Sequence, residues 1–305
     1  MWCIDLLDSI YSEVHIFGSV MSVNSSLTAV EPHVLVVGID GIRHDALLAA
    51  RTPVIDGIAA VGVLLPVRVH QKNLTISGPV WSTVATGVYQ DKHGVTGNSV
   101  HPPELAQYPD FTQRLRAARP ELETMVAVSW LPLATDVDCG PIFSSRGWFT
   151  DPDPEVANDS KSWRIADDAV ARYASERLRT ENLAASFVYF GEGDVQAHNH
   201  GTGPDYTACI ERCDARLGML LDAIDSRPTR SGEAWTVVVV TDHGHLDDGG
   251  HGGDSDEERT AWMAAAGPAL PADVAGLDHA DIAVQVLSMF GLATDGLDGV
   301  PFGSR

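Results

Sequence analysis

Basic side chains are scarce in this chain of 305 residues: 20 lysines and arginines stand against 42 aspartates and glutamates, a formal charge of −22. A nucleic-acid duplex and an anionic membrane surface are therefore poor partners. A small anionic substrate is not excluded, because bound metal cations would dominate the local field. Cysteine is also scarce. Cys3, Cys139, Cys209 and Cys213 form no Cys-x-x-Cys pair, and Cys209 and Cys213 fall four apart in a helical-looking stretch. A reduced, cytoplasmic protein with structural thiols is expected rather than a disulfide framework. Long apolar runs are missing too. Asp5, Asp8, Glu13 and His15 interrupt the stretch from Ile4 to Val20, and no basic region precedes it. It reads as neither signal peptide nor membrane span. Met21 is a candidate natural start, and residues 1–30 are expected to be a poorly ordered N-terminal extension. With no repeat, low-complexity tract or linker, residues 31–305 read as one catalytic domain, though length alone would also allow two.

What is present alternates between strand and helix. His33–Ile39 is an apolar strand ending in Asp40-Gly41. Thr52-Pro53 opens a helix, with Thr52 as N-cap and Pro53 at its first position. Val63–Val69 is a second strand in which Pro66 signals an edge or a bulge. A loop through Ser77-Gly78 leads to a helix expected to begin at or near Pro79. Phe111–Ala118 is a short helix, Met125–Trp130 a strand, and residues 131–159 an excursion over the sheet. Ser160–Arg179 is an amphipathic helix, Ala185–Phe190 a strand and Tyr206–Ile224 a helix. The run at 235–241 is a strand, Trp262–Ala266 a short one, and Asp281–Phe290 a closing helix. This order predicts an α/β layered fold with a mainly parallel central sheet flanked by helices.

Chemistry gathers where strands end. Residues 235–253 run from Trp-Thr-Val-Val-Val-Val-Thr into Asp242-His243-Gly244-His245 and on to Gly-Gly-His251. Alone, this stretch is either a solvated Asp/Gly turn or part of a metal site. Asp40 follows the first strand and Asp194 the fourth, and such positions converge on one crevice in an open α/β sheet. Asp194 and His198 lie one helical turn apart. Three carboxylates and three imidazoles suit two divalent cations with mixed nitrogen and oxygen ligands. Ser77 precedes a helix N-terminus, where local reasoning favours a cap over a nucleophile.

Taken in order, the segments Asp40-Gly41, Ser77-Gly78-Pro79 before a helix ending Thr86-Gly87, Asp194-x-x-x-His198, Asp242-His243-Gly244 and His251-Gly252 resemble the alkaline phosphatase superfamily. Within it, Thr86-Gly87-Val88-Tyr89 and His93-Gly94-Val95 are most similar to the type I phosphodiesterase/nucleotide pyrophosphatase family. The resemblance covers roughly residues 33 to 268 and implies an alkaline-phosphatase-like fold. It makes Ser77 the nucleophile and places Asn98 where an asparagine binds the phosphoryl oxygens. One cation, zinc by preference, would be held by Asp194, His198 and His251. The other would be held by Asp40, Asp242, His243 and Ser77. His245 and His200 are set aside, and His44, His93 and His101 are left as surface or supporting residues.

The implied activity is two-metal hydrolysis of a small phosphorylated substrate, nucleotide-like or another phosphate ester, through a phosphoseryl intermediate. Two departures bear on substrate. The family often has Lys before the nucleophile, where this chain has Ile76, and the insertions that build a substrate cap in larger relatives are missing. A centre without surplus positive charge fits a monoanionic diester better than a dianionic monoester, unless Arg43 or another arginine intervenes. Trp81 stands where a sulfatase needs arginine. A phosphomonoesterase, a phosphonoacetate-hydrolase-like C–P hydrolase and a non-catalytic metal-binding protein are the alternatives.

Overall fold

The computed structural model of the chain describes residues 30–304 apart from 144–146, 153–158 and 272. The expected extension over residues 1–30 thus lies, except for Val30, outside the described residues. The strands are β1 (Pro32–Ile39), β2 (Val63–Arg68), β3 (Glu123–Val128), β4 (Trp148–Phe149), β5 (Leu183–Phe190), β6 (Ala234–Val240) and β7 (Thr260–Ala266). They form one sheet in the order β2-β7-β6-β1-β5-β3-β4. β7 runs antiparallel to both neighbours, and the remaining pairings are parallel. β2, with Pro66, is the edge strand that proline called for.

Helices cover both faces: α1 (His44–Ala49), α2 (Pro53–Val61), α3 (Ser77–Thr86), α4 (Gln90–His93), α5 (Phe111–Ala118), α6 (Ser160–Thr180), α7 (Glu192–His200), α8 (Pro204–Asp225), α9 (Asp256–Arg259) and α10 (Asp281–Met289). Side-chain alternation along β1 divides the core. Val34 and Val36 face α3, α5 and α10 through Val84, Phe111, Leu115, Ile282 and Val286. Leu35, Val37 and Ile39 face α2, α6 and α8 through Ile55, Val170, Leu178, Tyr206 and Leu217. A strand covered on both sides can be apolar at nearly every position, which is why β1 and β5 read as unbroken runs. No helix among the described residues is long and apolar enough to cross a membrane.

Two local expectations are corrected. Thr52 makes no side-chain cap on α2. Its place is taken from across the molecule by Asp214 on α8, whose carboxylate accepts the N–H groups of Val54 at 3.2 Å and Ile55 at 2.8 Å. The helix expected from Pro79 begins two residues earlier, with extended Ile76 as its boundary and Ser77 as its first residue. Pro79 falls at the third helical position, where a missing N–H still loses no intrahelical bond.

Candidate metal centre

The order β6-β1-β5 at the middle of the sheet determines what meets what. These three parallel strands end side by side, so Asp242, Asp40 and the start of α7 share one carboxyl edge. α3 delivers Ser77 to the same place. Its Oγ lies 3.5 Å from Asp40 Oδ1 and 3.4 Å from His243 Nε2. His243 Nε2 in turn lies 3.7 Å from Asp40 Oδ1 and 3.2 Å from Asp242 Oδ2. Bonds of about 2.0–2.1 Å to a tetrahedral ion place its ligand atoms about 3.3 Å apart. These four side chains are spaced for such an ion.

The second group stands beside the first. Asp194 and His198 share a face of α7, with Asp194 Oδ2 and His198 Nε2 3.5 Å apart. His251 Nε2 lies 2.9 Å from His198 Nε2 and 3.7 Å from Asp194 Oδ1. Two ring nitrogens this close suit a shared cation. Three ligands with room for a fourth are what a catalytic site requires, as opposed to a closed structural one. His243 also lies within 4.8 Å of the ligand atoms of Asp194 and His251, so the two groups are contiguous.

Supporting hydrogen bonds aim the ligands. His243 Nδ1 donates to Gly244 O at 3.0 Å and His251 Nδ1 to Thr75 O at 2.7 Å, which leaves each Nε2 lone pair facing the centre. Trp81 Nε1 and the Tyr189 hydroxyl both donate to Asp40 Oδ2, at 2.8 and 2.5 Å. Gly41 N donates to Asp242 Oδ1 at 3.0 Å, while Asp242 Oδ2 is buried without a hydrogen-bond partner. An orphaned carboxylate oxygen in the interior is costly unless a cation meets it. The donor set therefore fits a pair of divalent ions.

The acid–base balance agrees. Burial, reinforced by the charge of Asp194, pushes Asp40 up to about 7. Burial and the charge of Asp40 raise Asp242 well above the carboxylate range. Burial lowers His243 and His251, so both imidazoles are neutral, the form that binds metal. Burial would also raise Asp194, but the hydrogen bond and the charge of His245 outweigh it and hold Asp194 low.

His245, set aside in the sequence reading, lies at the heart of the cluster and is fully buried. Its Nε2 is 3.0 Å from Asp194 Oδ1 and its Nδ1 2.9 Å from Gly249 O. With an acceptor at each nitrogen the ring must donate from both. Burial opposes that charge, but the hydrogen bond and charge of Asp194 outweigh it and raise His245 above its ordinary value. Gly41, at φ +65°, is needed beside it, since a Cβ there would sit 2.5 Å from His245 Nε2.

Asn98 lies on an exposed loop against the start of α3, and its Oδ1 accepts from Gly78 N at 2.8 Å. That bond commits Oδ1, so any further donation from the amide comes from Nδ2. Gly78 allows the approach, because a Cβ would stand 2.6 Å from Gly97 O. His93 is buried beside α3, 3.1 Å from Thr83 Oγ1, which also accepts from Asn73 Nδ2 at 2.9 Å. His44 is partly buried away from the ligand groups, and His101 and His200 are exposed. Nearby cations are engaged by carboxylates: Arg43 by Asp45 and Asp247, Lys72 by Asp91, and Arg259 by Asp254.

A sequence model described as type I phosphodiesterase / nucleotide pyrophosphatase matches residues 34–248. Ectonucleotide pyrophosphatase/phosphodiesterase family member 7 of Rattus norvegicus is 24% identical over 236 residues, covering 69% of this chain and 49% of its own length. The Bos taurus bis(5'-adenosyl)-triphosphatase ENPP4 is 23% identical, covering 72% of this chain and 49% of its own length. The chain thus spans about half the length of the curated relatives it matches. Among solved structures, an inactive murine ectonucleotide pyrophosphatase / phosphodiesterase 5 in complex with AMP superposes with a TM-score of 0.64 at 16% identity, covering 88% of this chain and 97% of that one. A 2-O GAG sulfatase gives a TM-score of 0.65 at 16% identity, covering 89% and 73%. These likenesses establish the alkaline-phosphatase-like fold.

Proposed function

The chain belongs to the type I phosphodiesterase/nucleotide pyrophosphatase family, and on that premise we propose that it hydrolyses phosphate esters, nucleotide-like diesters ahead of monoesters, with Ser77 as nucleophile at a centre of two divalent cations. The observation that carries this reading is the placing of Ser77 Oγ, 3.4–3.5 Å from two metal-competent atoms and at the first residue of α3. The cations, zinc by preference, would be held by Asp40, Asp242, His243 and Ser77 on one side and by Asp194, His198 and His251 on the other. When bound they supply Lewis acidity and positive charge to the phosphoryl group and leaving oxygen.

The chain's own residues do the rest. Ser77 Oγ gives up its proton to solvent and attacks phosphorus in line, the bond from phosphorus to the leaving oxygen breaks, that oxygen takes up a proton to depart as the alcohol, and a phosphoseryl group is formed. Water then displaces Ser77 Oγ in a second in-line step. Asn98 Nδ2 and the N-terminus of α3 hold the non-bridging oxygens. Preference for a diester is supported by Ile76 beside the nucleophile and by the pairing of the nearby Arg43, Lys72 and Arg259 with carboxylates. A nucleotide-like substrate is supported by the name of the bovine relative and by the AMP held in the murine structure. The buried free thiols of Cys139, Cys209 and Cys213 support a reducing compartment, in keeping with a cytoplasmic protein.

The test is turnover of bis-p-nitrophenyl phosphate, p-nitrophenyl phosphate and a p-nitrophenyl nucleotide, with zinc and after chelation. Diesters should turn over faster, chelation should stop the reaction and zinc restore it. A diester chiral at phosphorus should react with net retention. Inversion would remove the covalent route, and no turnover of any substrate would leave a metal-binding protein.

A further inference from the structure

The three carboxylates of the centre share one feature: each has one oxygen engaged by a protein donor. Asp40 gives Oδ2 to Trp81 Nε1 and the Tyr189 hydroxyl, and turns Oδ1 toward Ser77 and His243. Asp242 gives Oδ1 to Gly41 N and leaves Oδ2 open. Asp194 gives Oδ1 to His245 Nε2 and sets Oδ2 against His198 Nε2. The donors cannot easily move. Trp81, Tyr189 and His245 are at most 2% exposed. The Trp81 and Tyr189 rings meet edge to face at 5.5 Å, and His245 is pinned by Gly249 O.

A carboxylate oxygen held by buried protein donors is a weaker and less mobile second ligand, which disfavours embracing a cation with both oxygens. Each aspartate would then offer a single oxygen to its own group, giving four candidate donors in one (Asp40, Asp242, His243, Ser77) and three in the other (Asp194, His198, His251). Zinc works at that coordination number. Calcium takes six to eight oxygens, often from bidentate carboxylates. We infer that Trp81, Tyr189 and His245 are positioning residues that set the metal preference of the centre by holding Asp40 and Asp194 to one oxygen each. This rests on the two-cation reading above.

The test strips the full chain of metal and measures zinc and calcium uptake by elemental analysis. Affinities come from competition with a chromophoric chelator, and the zinc-bound shell is read by X-ray absorption. Wild type should take up two zinc ions with a low coordination number. In Tyr189→Phe, Trp81→Phe and His245→Leu the preference for zinc over calcium should fall about tenfold or more, because supporting groups are commonly worth 10- to 100-fold in metal affinity. The oxygen shell around zinc should grow in the same variants. His245→Gln, which keeps an N–H donor, should stay closer to wild type. Tyr189→Phe deletes a single oxygen atom and carries the test should the larger changes fail to fold. Folded variants with unchanged preference and unchanged shell would overturn the inference alone. A wild-type chain that takes up no zinc would overturn the two-cation reading with it.

Discussion

Asp40→Asn should stabilise the metal-free protein at neutral pH, although it removes a ligand. Asp40 is 1% exposed, and burial together with the charge of Asp194 moves its carboxyl from 3.8 to about 7. The folded protein then holds the proton more tightly than the unfolded chain. The stability this confers is fully present below the unfolded value and is lost as pH rises through about 7. At about 1.36 kcal/mol for each tenfold change in proton binding, keeping Asp40 in the fold costs on the order of 4 kcal/mol near pH 8, less near pH 6 and little near pH 4. Asparagine is nearly isosteric, and its carbonyl oxygen can still accept from Trp81 and Tyr189. Urea denaturation of both chains in chelator, at these three pH values, measures the difference. Comparing the two chains matters, because neutral buried His243, His251 and His279 shift absolute stability the opposite way. Added zinc should reverse the order, since only wild type keeps the full ligand set. A variant no more stable than wild type near pH 8, or a difference that does not change with pH, would refute the assignment of a carboxyl whose charged form is disfavoured by burial.

Ser77→Ala should lower hydrolysis by at least about 10³-fold while zinc uptake persists through the six other ligands, and a labelled phosphate should be trapped on wild type alone in acid-quenched turnover. Asn98→Ala should lower kcat by about 10²-fold with a smaller change in KM, as for loss of one donor to a developing oxyanion. Gly78→Ala drives a methyl to within 2.6 Å of Gly97 O and so displaces the loop carrying Asn98. Its loss of kcat should resemble that of Asn98→Ala, and the double variant should be little worse than either. Additive losses would separate the two residues.

Much of the frame was legible because burial on both faces imposes a pattern that no surface feature dilutes. The runs at 33–39, 185–190 and 235–241 fall on β1, β5 and β6 within two residues at either end. The acidic residues at their ends meet because parallel neighbours must end together. What escaped was settled by partners far away in sequence. Thr52 looked like a cap until Asp214 supplied a better one. His245 was judged by a motif that stops short of it, whereas its role follows from Asp194, 51 residues away. Tyr189 sits inside the apolar strand run at 185–190 with nothing local to mark it, and the packing of α3 against β5 sets its hydroxyl on Asp40. One signal could have been caught. On α6, Asp167 is in step with Val170, Ala171 and Ala174 on the buried face, a place where an unpaired carboxylate is not tolerated.

That carboxylate explains how α7 holds its direction. Asp167 accepts from Gly191 N at 3.1 Å, Glu192 N at 2.9 Å and Ser129 Oγ at 2.6 Å, so the first turn of α7 is capped from α6. Arg216 of α8 lies 3.5 Å from Asp167, 2.8 Å from Asp168 and 2.8 Å from Glu192, and Arg212 adds a contact to Glu192 at 2.6 Å. Replacing such a buried network with apolar groups of the same shape commonly costs nothing in stability, whereas removing one partner costs about 3–5 kcal/mol. Its value therefore lies in direction more than in folding energy. An apolar seam would let α7 turn or slide by a fraction of a residue, while charged groups with fixed hydrogen-bond geometry admit one register. Asp194 and His198 are borne on that helix, one turn apart, and a rotation of α7 would carry both away from His251. The interior charges behind α7 and the exposed edge in front of it are thus two ends of one construction, in which the helix is fastened so that its ligands meet those of β1 and β6.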